Sequence, residues 1–230
     1  MTARAGPLFE FEHLWVRGGE GRWRLRDVTG QIAAGGVTAL VGPSGSGKST
    51  LLRCCNRLAA PSKGTVRYCG DDVAGVDVLQ LRRQVAMVFQ TPIPLPGSVR
   101  DNLRLADPTL DDALANALLD RVQLDTGFLD RNATQLSGGE AQRLCLARSL
   151  AVGPDVVLMD EVTSSVDPRT RQALEQLARS LADGGISIIW VTHDLAQAQR
   201  LADAILVVID GRFAGTEEAA AFLGEGAHGE

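Results

Sequence analysis

The sequence predicts an α/β protein built on a parallel sheet with helices on both faces. Three observations predict it. From residue 154 onward, short apolar strands alternate with helical segments, the order that builds a parallel sheet. Strands such as Val156–Met159 and Ala204–Ile209 are apolar at successive positions, the mark of strands covered on both faces. A glycine-rich loop stands directly between an apolar strand and a helix at residues 42–47.

The elements follow in order. Residues 8–32 alternate loosely between apolar and polar around Gly18, Gly19 and Gly21, which predicts an antiparallel hairpin. Val37–Val41 is a short strand, and a helix runs from about Lys48 to Leu58 after the glycine-rich loop. Gln84–Phe89 is a further strand. The stretch TPIPLPGS (91–98) is a proline-rich connector, and the pattern from there to Leu150 is mostly helical. Val156–Met159, Ile186–Val191 and Ala204–Ile209 are then strands, separated by helices over Arg169–Leu181 and Leu195–Leu201. Residues 224–230 are expected to fray.

Composition narrows the function classes. A chain of 230 residues can bury one core with an attached subdomain. A net charge of −5 argues against nucleic acid as the main partner, because backbone binding needs clustered Lys and Arg. Cys54, Cys55, Cys69 and Cys145 show no metal-ligand spacing, so buried thiols in a reducing compartment are expected. The N-terminus lacks the apolar core of a signal peptide. The longest apolar runs fall far short of the ~18 residues that span a bilayer, so the chain is not expected to cross a membrane by itself.

The glycine-rich loop carries the chemistry. Gly42-Pro43-Ser44-Gly45-Ser46-Gly47-Lys48-Ser49 matches G-x-x-x-x-G-K-[ST] in the strand–loop–helix context that a P-loop requires, with Thr50 following. Its backbone N–H groups can form an anion-binding nest. Lys48 is placed to reach the β- and γ-phosphates of a nucleotide, and Ser49 to ligate Mg²⁺. The strand Val156–Met159 delivers Asp160 and Glu161 to its C-terminal edge, where open α/β sheets bind ligands. Asp160 is expected to hold Mg²⁺ and Glu161 to act as general base on an attacking water. His193 ends another strand at the same edge, and Gln90 ends a third, within reach of metal or water.

The stretch LSGGEAQR (136–143) starts a helix with glycine at its first two positions, although glycine costs roughly 0.8–1.0 kcal/mol relative to alanine in a helix. Ser137 and Glu140 have the spacing of a capping box. A helix so well started and so bare exposes N–H groups and the positive dipole end to an anion.

Together, GPSGSGKST, Phe89-Gln90, LSGGE, VVLMDE, SSVD (164–167) and THD (192–194) resemble the nucleotide-binding subunit of ATP-binding cassette (ABC) transporters, in order from about residue 8 to 215. The resemblance implies a single ABC ATPase domain. It has a P-loop NTPase (RecA-like) core over 33–90 and 154–215, an N-terminal antiparallel β subdomain over 8–32, an inserted helical subdomain over 91–153 and a C-terminal tail over 216–230. It implies ATP and Mg²⁺ as ligands and a homodimer or heterodimer of ATPase subunits paired head to tail. In that pair Ser137, Gly138, Gly139 and Glu140 of one chain meet the ATP on the other. Asp167 organises the dimer interface, His193 senses the γ-phosphate, and Gln90 links the nucleotide to the helical subdomain. Integral-membrane permease subunits, with a solute-binding protein as a further candidate, are the implied partners. The location is the cytoplasmic face of the membrane.

The chain departs from the family pattern at Val162, Ser165 and Val166, where Pro, Ala and Leu are common. The aromatic residue that stacks on adenine in the family aligns with Gly18, leaving Trp15 three residues early and Trp23 five late. The triphosphate and Mg²⁺ are then expected to carry most of the affinity. MVFQTPIPLPGSVRDNL (87–103) and RLCLARSLA (143–151) resemble phosphate-import ATPases, the favoured reading. QTP, SGGE, DEVTS and WVTHD equally resemble short ATPases of metal or nucleotide-sugar exporters.

Overall fold

The computed structural model describes residues 6–164 and 166–225. The departure at Ser165 and the tail residues 226–230 lie outside them. β1 (Pro7–Arg17) and β2 (Trp23–Ala33) form the predicted antiparallel hairpin, pairing Val16 with Leu25 and Phe9 with Ile32. Their inward residues Phe9, Phe11, Leu14, Leu25 and Ile32 are buried. β3 (Val37–Val41) leads through the glycine-rich loop to α1 (Lys48–Cys55). β4 (Lys63–Tyr68) and β5 (Asp71–Asp72) then return to the hairpin, giving a four-stranded sheet in the order β2-β1-β4-β5. The antiparallel layer therefore draws on residues beyond 8–32.

After α2 (Val78–Gln84) comes β6 (Val85–Val88), and the inserted helices are α3 (Val99–Ala106), α4 (Asp112–Arg121) and α5 (Gly138–Leu150). β7 (Val156–Asp160), α6 (Pro168–Asp183), β8 (Ser187–Val191), α7 (Leu195–Leu201), β9 (Ala204–Ile209) and β10 (Arg212–Phe213) complete the second sheet. Its order is β10-β9-β3-β8-β7-β6, parallel except for β10. Residues 216–225, expected as tail, form α8 (Thr216–Glu225), with Ala219, Phe222 and Leu223 packed beside Ala39, Val41 and Val207.

Alternation along the parallel strands splits the core in two. Val157, Met159, Ile188 and Trp190 face the side packed by α5 and α6, where Leu144, Leu174 and Leu177 join them. Val156, Leu158, Ile189 and Val191 face Leu51, Leu52 and the antiparallel sheet. Each parallel strand is buried on both faces, which is why its sequence is continuously apolar. Among the described residues, no helix is long and apolar enough to cross a membrane.

Candidate functional site

Register brings the strand ends to one edge. Val191 pairs with Leu40 on one side and Asp160 on the other, so β3, β8 and β7 end level. Backbone bonds continue the row past the strands: Glu161 N–H donates to Val191 and Thr192 N–H to Leu40, each at 3.2 Å. The P-loop, Asp160, Glu161 and His193 therefore leave the sheet side by side.

The loop's shape depends on glycine. Gly42 has φ +145°, and a Cβ there would run into the Val208 carbonyl. Gly47, at φ +107°, is the N-cap of α1 and offers no side-chain cap, which leaves the helix N-terminus bare for an anion. A Cβ on Gly47 would also lie 2.7 Å from the Arg24 carbonyl. Pro43, Ser44 and Gly45 are exposed, and Thr50 is half-buried on α1. Ser46 is buried, and its Oγ has no hydrogen-bond partner among the described residues. Lys48 is 4% exposed, and its Nζ donates to the carbonyls of Gly42 and Pro43 at 2.8 Å each. Burial lowers the Lys48 pKa, with the Glu161 and Asp160 carboxylates opposing that shift.

Ser49 Oγ donates to Asp160 Oδ1 at 2.6 Å, and Asp160 is 3% exposed. Burial raises the Asp160 pKa, against the pull of the Ser49 hydroxyl and of Arg53, whose guanidinium lies 3.6 Å away. Ser49 and Arg53 are four residues apart on α1 and so share a face. Sequence reasoning passed over Arg53, although that spacing was readable. These oxygens suit Mg²⁺, which takes one or two protein ligands together with substrate phosphates and water. Among the described residues, no group of three His, Cys, Asp or Glu could hold a metal by itself. A metal here would complete its shell with water and phosphate oxygens.

Two cavities meet at Glu161. The first, about 530 Å³, is lined by the P-loop residues Gly45, Gly47, Lys48, Ser49 and Thr50 and by Glu161, and it continues to the β1–β2 hairpin. The second, about 310 Å³, is lined by Glu161, Thr163, Arg171 and His193 among others. His193 Nδ1 lies 3.5 Å from Glu161 Oε2. Glu161 itself holds φ +48°, a left-handed conformation that costs a non-glycine residue of order 1–3 kcal/mol and turns up at functional sites. Gln90 is exposed and donates to Ser164 Oγ at 3.1 Å; no hydrogen bond joins it to Ser49 or Asp160.

A buried polar network unread in the sequence supports this edge. Gln197 Nε2 donates to Glu175 Oε1 at 2.8 Å and to Thr163 Oγ1 at 3.0 Å. Trp190 Nε1 donates to Gln197, and Arg200 grips Glu175 through Nε and Nη2. It ties the turn after Glu161 to α6 and α7. Val162 is buried in the core on the α6 side and Val166 packs against it, so both departures in this turn are accommodated as apolar contacts.

The signature stretch lies apart. Ser137, Gly138, Gly139 and Glu140 line neither cavity. The capping box is formed: Ser137 N–H donates to Glu140 Oε2 at 2.7 Å, which holds the Glu140 carboxyl below its usual range, and Glu140 N–H reaches Ser137 Oγ at 3.4 Å. The two glycines differ. A Cβ on Gly138 would meet nothing within 4 Å, so that position is open outward. One on Gly139 would lie 2.9 Å from Thr170 Cγ2, so Gly139 lets α5 close on the start of α6. Asp167 caps α6 through the N–H groups of Arg169 and Thr170 and accepts the Thr170 hydroxyl at 2.6 Å, which lowers its pKa. Gln142, buried, donates to the Phe89 carbonyl at 3.1 Å and anchors α5 beside Gln90.

Residues 25–164 match the family model described as ABC transporter. The chain is 42% identical over 216 residues to Protein STAR1 of Oryza sativa subsp. japonica, covering 91% of this chain. It spans 62% of the length of that relative. It is 43% identical over 209 residues to Phosphate import ATP-binding protein PstB 2 of Mycobacterium tuberculosis, covering 84% of this chain and 75% of that protein. Among solved structures it superposes on the dimeric post-hydrolysis state of the ATP-binding cassette MJ0796 bound to ADP and Pi. The TM-score is 0.80 at 29% identity, with 90% of this chain and 97% of that one covered.

Proposed function

The chain belongs to the ABC transporter family, and from that premise we propose that it is the ATP-hydrolysing subunit of a transporter, driven by head-to-tail pairing of two such subunits. The observation that carries the reading is the split between the two halves of the site. The P-loop, Asp160, Glu161 and His193 converge on one sheet edge, while Ser137–Glu140 form a capped helix start, open outward at Gly138, that reaches neither cavity. A second copy supplies the missing half.

In this reading the loop from Gly42 to Thr50 wraps the phosphates, and Lys48 turns from its two carbonyls to the β- and γ-phosphates. The unpartnered Ser46 hydroxyl and the bare start of α1 are the features of this chain that fit a phosphate. Ser49 and Asp160 would hold Mg²⁺, which neutralises developing phosphate charge when bound. Glu161 takes the proton of the attacking water, and His193, 3.5 Å away, holds the Glu161 carboxylate and senses the γ-phosphate. Gln90 acts through the 161–167 turn by way of Ser164 and links it to the helical insert. Asp167 organises the pair through the cap of α6. The complex sits with membrane permease subunits at the cytoplasmic face, and phosphate import is the transport class favoured by the similarity to PstB 2.

Ser137→Arg tests the split. It is expected to leave ATP affinity of the isolated monomer within about threefold while abolishing ATP-dependent dimerisation and hydrolysis. Equilibrium binding and size-exclusion chromatography read the two effects, and losing the cap costs about 1 kcal/mol of stability. Monomer binding weakened as severely as by Lys48→Ala would refute the in-trans assignment.

A further inference from the structure

The cavity beside the P-loop is larger than phosphate chemistry requires. Besides the loop and Glu161, it is walled by Val16, Arg17, Gly18 and Arg24 from the hairpin and by Leu58 and Ala59 after α1. Among the described residues, no aromatic ring lines it. Trp15 and Trp23 pack edge to face on each other with ring centres 5.2 Å apart, and the Arg17 guanidinium lies 4.7 Å from the Trp23 ring centre. The hairpin's two large rings are thus occupied with each other and with Arg17.

Three arginines line the cavity, and two have partners. Arg17 lies over Trp23, and Arg53 faces Asp160. Arg24 makes no ion pair or side-chain hydrogen bond among the described residues, and it is exposed. Its side chain occupies the space that a side chain on Gly18 would fill: a Cβ there would lie 2.7 Å from Arg24 Cγ and 2.8 Å from its Nε. Gly18 has φ −91° and ψ −175°, an extended backbone open to any residue, so Arg24 alone stands in the way of a larger one. The backbone holds Arg24 in place. Its carbonyl lies where a Cβ on Gly47 would be, Arg26 N–H donates to the Gly211 carbonyl at 2.8 Å, and Gly211 N–H donates to the Ser46 carbonyl at 3.0 Å, which together fasten the start of β2 to the P-loop.

We propose that the Arg24 guanidinium is the platform on which the base of the bound nucleotide stacks, with Gly18 as the gap that lets it lie there. The proposal rests on the nucleotide reading above. A guanidinium plane is flat, permanently charged and weakly hydrated, and it stacks on the faces of bases as aromatic rings do. A platform of this kind touches the face of the ring and reads no edge. ATP and GTP therefore bind alike.

Calorimetric titration of the full chain with ATP, GTP and inorganic tripolyphosphate tests this. Arg24→Ala is expected to weaken ATP and GTP equally, by roughly 5- to 30-fold, the range of a cation–π or stacking contact. Tripolyphosphate binding should stay within about twofold. Arg24→Lys keeps the charge without the plane and should lose ATP affinity as Ala does. Gly18→Tyr combined with Arg24→Ala places a ring in the vacated space and should restore ATP binding. Equal losses for ATP and tripolyphosphate would overturn the proposal by showing that Arg24 acts on phosphate, as would full ATP affinity in Arg24→Ala or Arg24→Lys. Wild-type protein that bound neither ATP nor tripolyphosphate would instead refute the nucleotide reading on which the platform depends.

Discussion

Replacing Asp160 by Asn should stabilise the ligand-free protein and abolish its response to Mg²⁺ and ATP. The carboxylate is 3% exposed, and its partners are one hydroxyl at 2.6 Å and the half-exposed Arg53 at 3.6 Å. An asparagine Oδ1 still accepts the Ser49 hydroxyl, so that bond survives. The pair with Arg53 is worth no more than about 0–1 kcal/mol in such an exposed setting. Relief from burying a weakly paired charge outweighs it, since such penalties run to several kcal/mol before compensation. A net gain of about 1 kcal/mol raises Tm by roughly 2–4 °C for a chain of this size. The pH dependence has a definite sign. Burial lifts the folded pKa above the unfolded value of 3.8, so the wild type is penalised at neutral pH and the penalty vanishes below 3.8. The advantage of Asn is therefore full above the folded pKa and closes as pH falls from there to 3.8. With ligand the order reverses, because saturation at 100 times Kd stabilises the wild type by about 2.7 kcal/mol and the variant by far less. Differential scanning fluorimetry in EDTA and in Mg-ATP measures both. A lower Tm for the variant in EDTA, or an undiminished Mg-ATP shift, would refute the reasoning.

Two further outcomes follow from the same edge. Glu161→Gln should bind ATP yet turn over roughly 10²–10⁴-fold more slowly, accumulating an ATP-bound dimer by size-exclusion chromatography; turnover within threefold of wild type would exclude a general-base role. Gly42→Ala should lower Tm far more than Gly45→Ala. Both glycines have positive φ, but a Cβ on Gly42 strikes the Val208 carbonyl while one on Gly45 meets nothing within 4 Å, which limits its cost to about 1–2 kcal/mol. Equal Tm losses would show that backbone conformation alone governs this loop.

Local patterning made most of the fold readable. β3, α7 and β9 have the bounds that their apolar runs predict, because each is a short run ended by its own punctuation. β4 pairs on one side with β1, some fifty residues earlier, and pairing at that distance leaves no local mark; its hairpin with β5 across Cys69-Gly70 was readable and missed. α8 was readable and missed: Ala219, Phe222 and Leu223 are spaced as one helical face, and two acids follow Thr216 in its first turn. At the site, the P-loop and the paired acids announce themselves by type and spacing. Arg24 does not, because its place depends on how the hairpin closes on Gly47. The partners of Glu175, both of which come from α7, were likewise beyond sequence reach.

The ligand-free chain satisfies within itself nearly every group that the proposed reaction uses. Lys48 is bonded to Gly42 and Pro43, Ser49 to Asp160, Ser137 to Glu140, and Asp167 to Thr170. Nucleotide binding is therefore an exchange of contacts, and its net free energy is smaller than the new bonds would suggest. That arrangement suits a subunit that must release its partner on every turn, since hydrolysis lets each group fall back to an internal bond and leaves none stranded. The exceptions point the same way. Among the described residues Ser46 Oγ is buried with no partner and Arg24 makes no ion pair, so these two groups have no such contact to give up on binding. Both precede Lys48 in the chain, one in the loop proposed to take phosphate and one in the hairpin proposed to take the base. On the proposed reading, affinity drawn from such uncommitted groups would hold nucleotide in the open monomer, while the committed groups, Ser137 and Asp167 above all, would change partners only when two chains close.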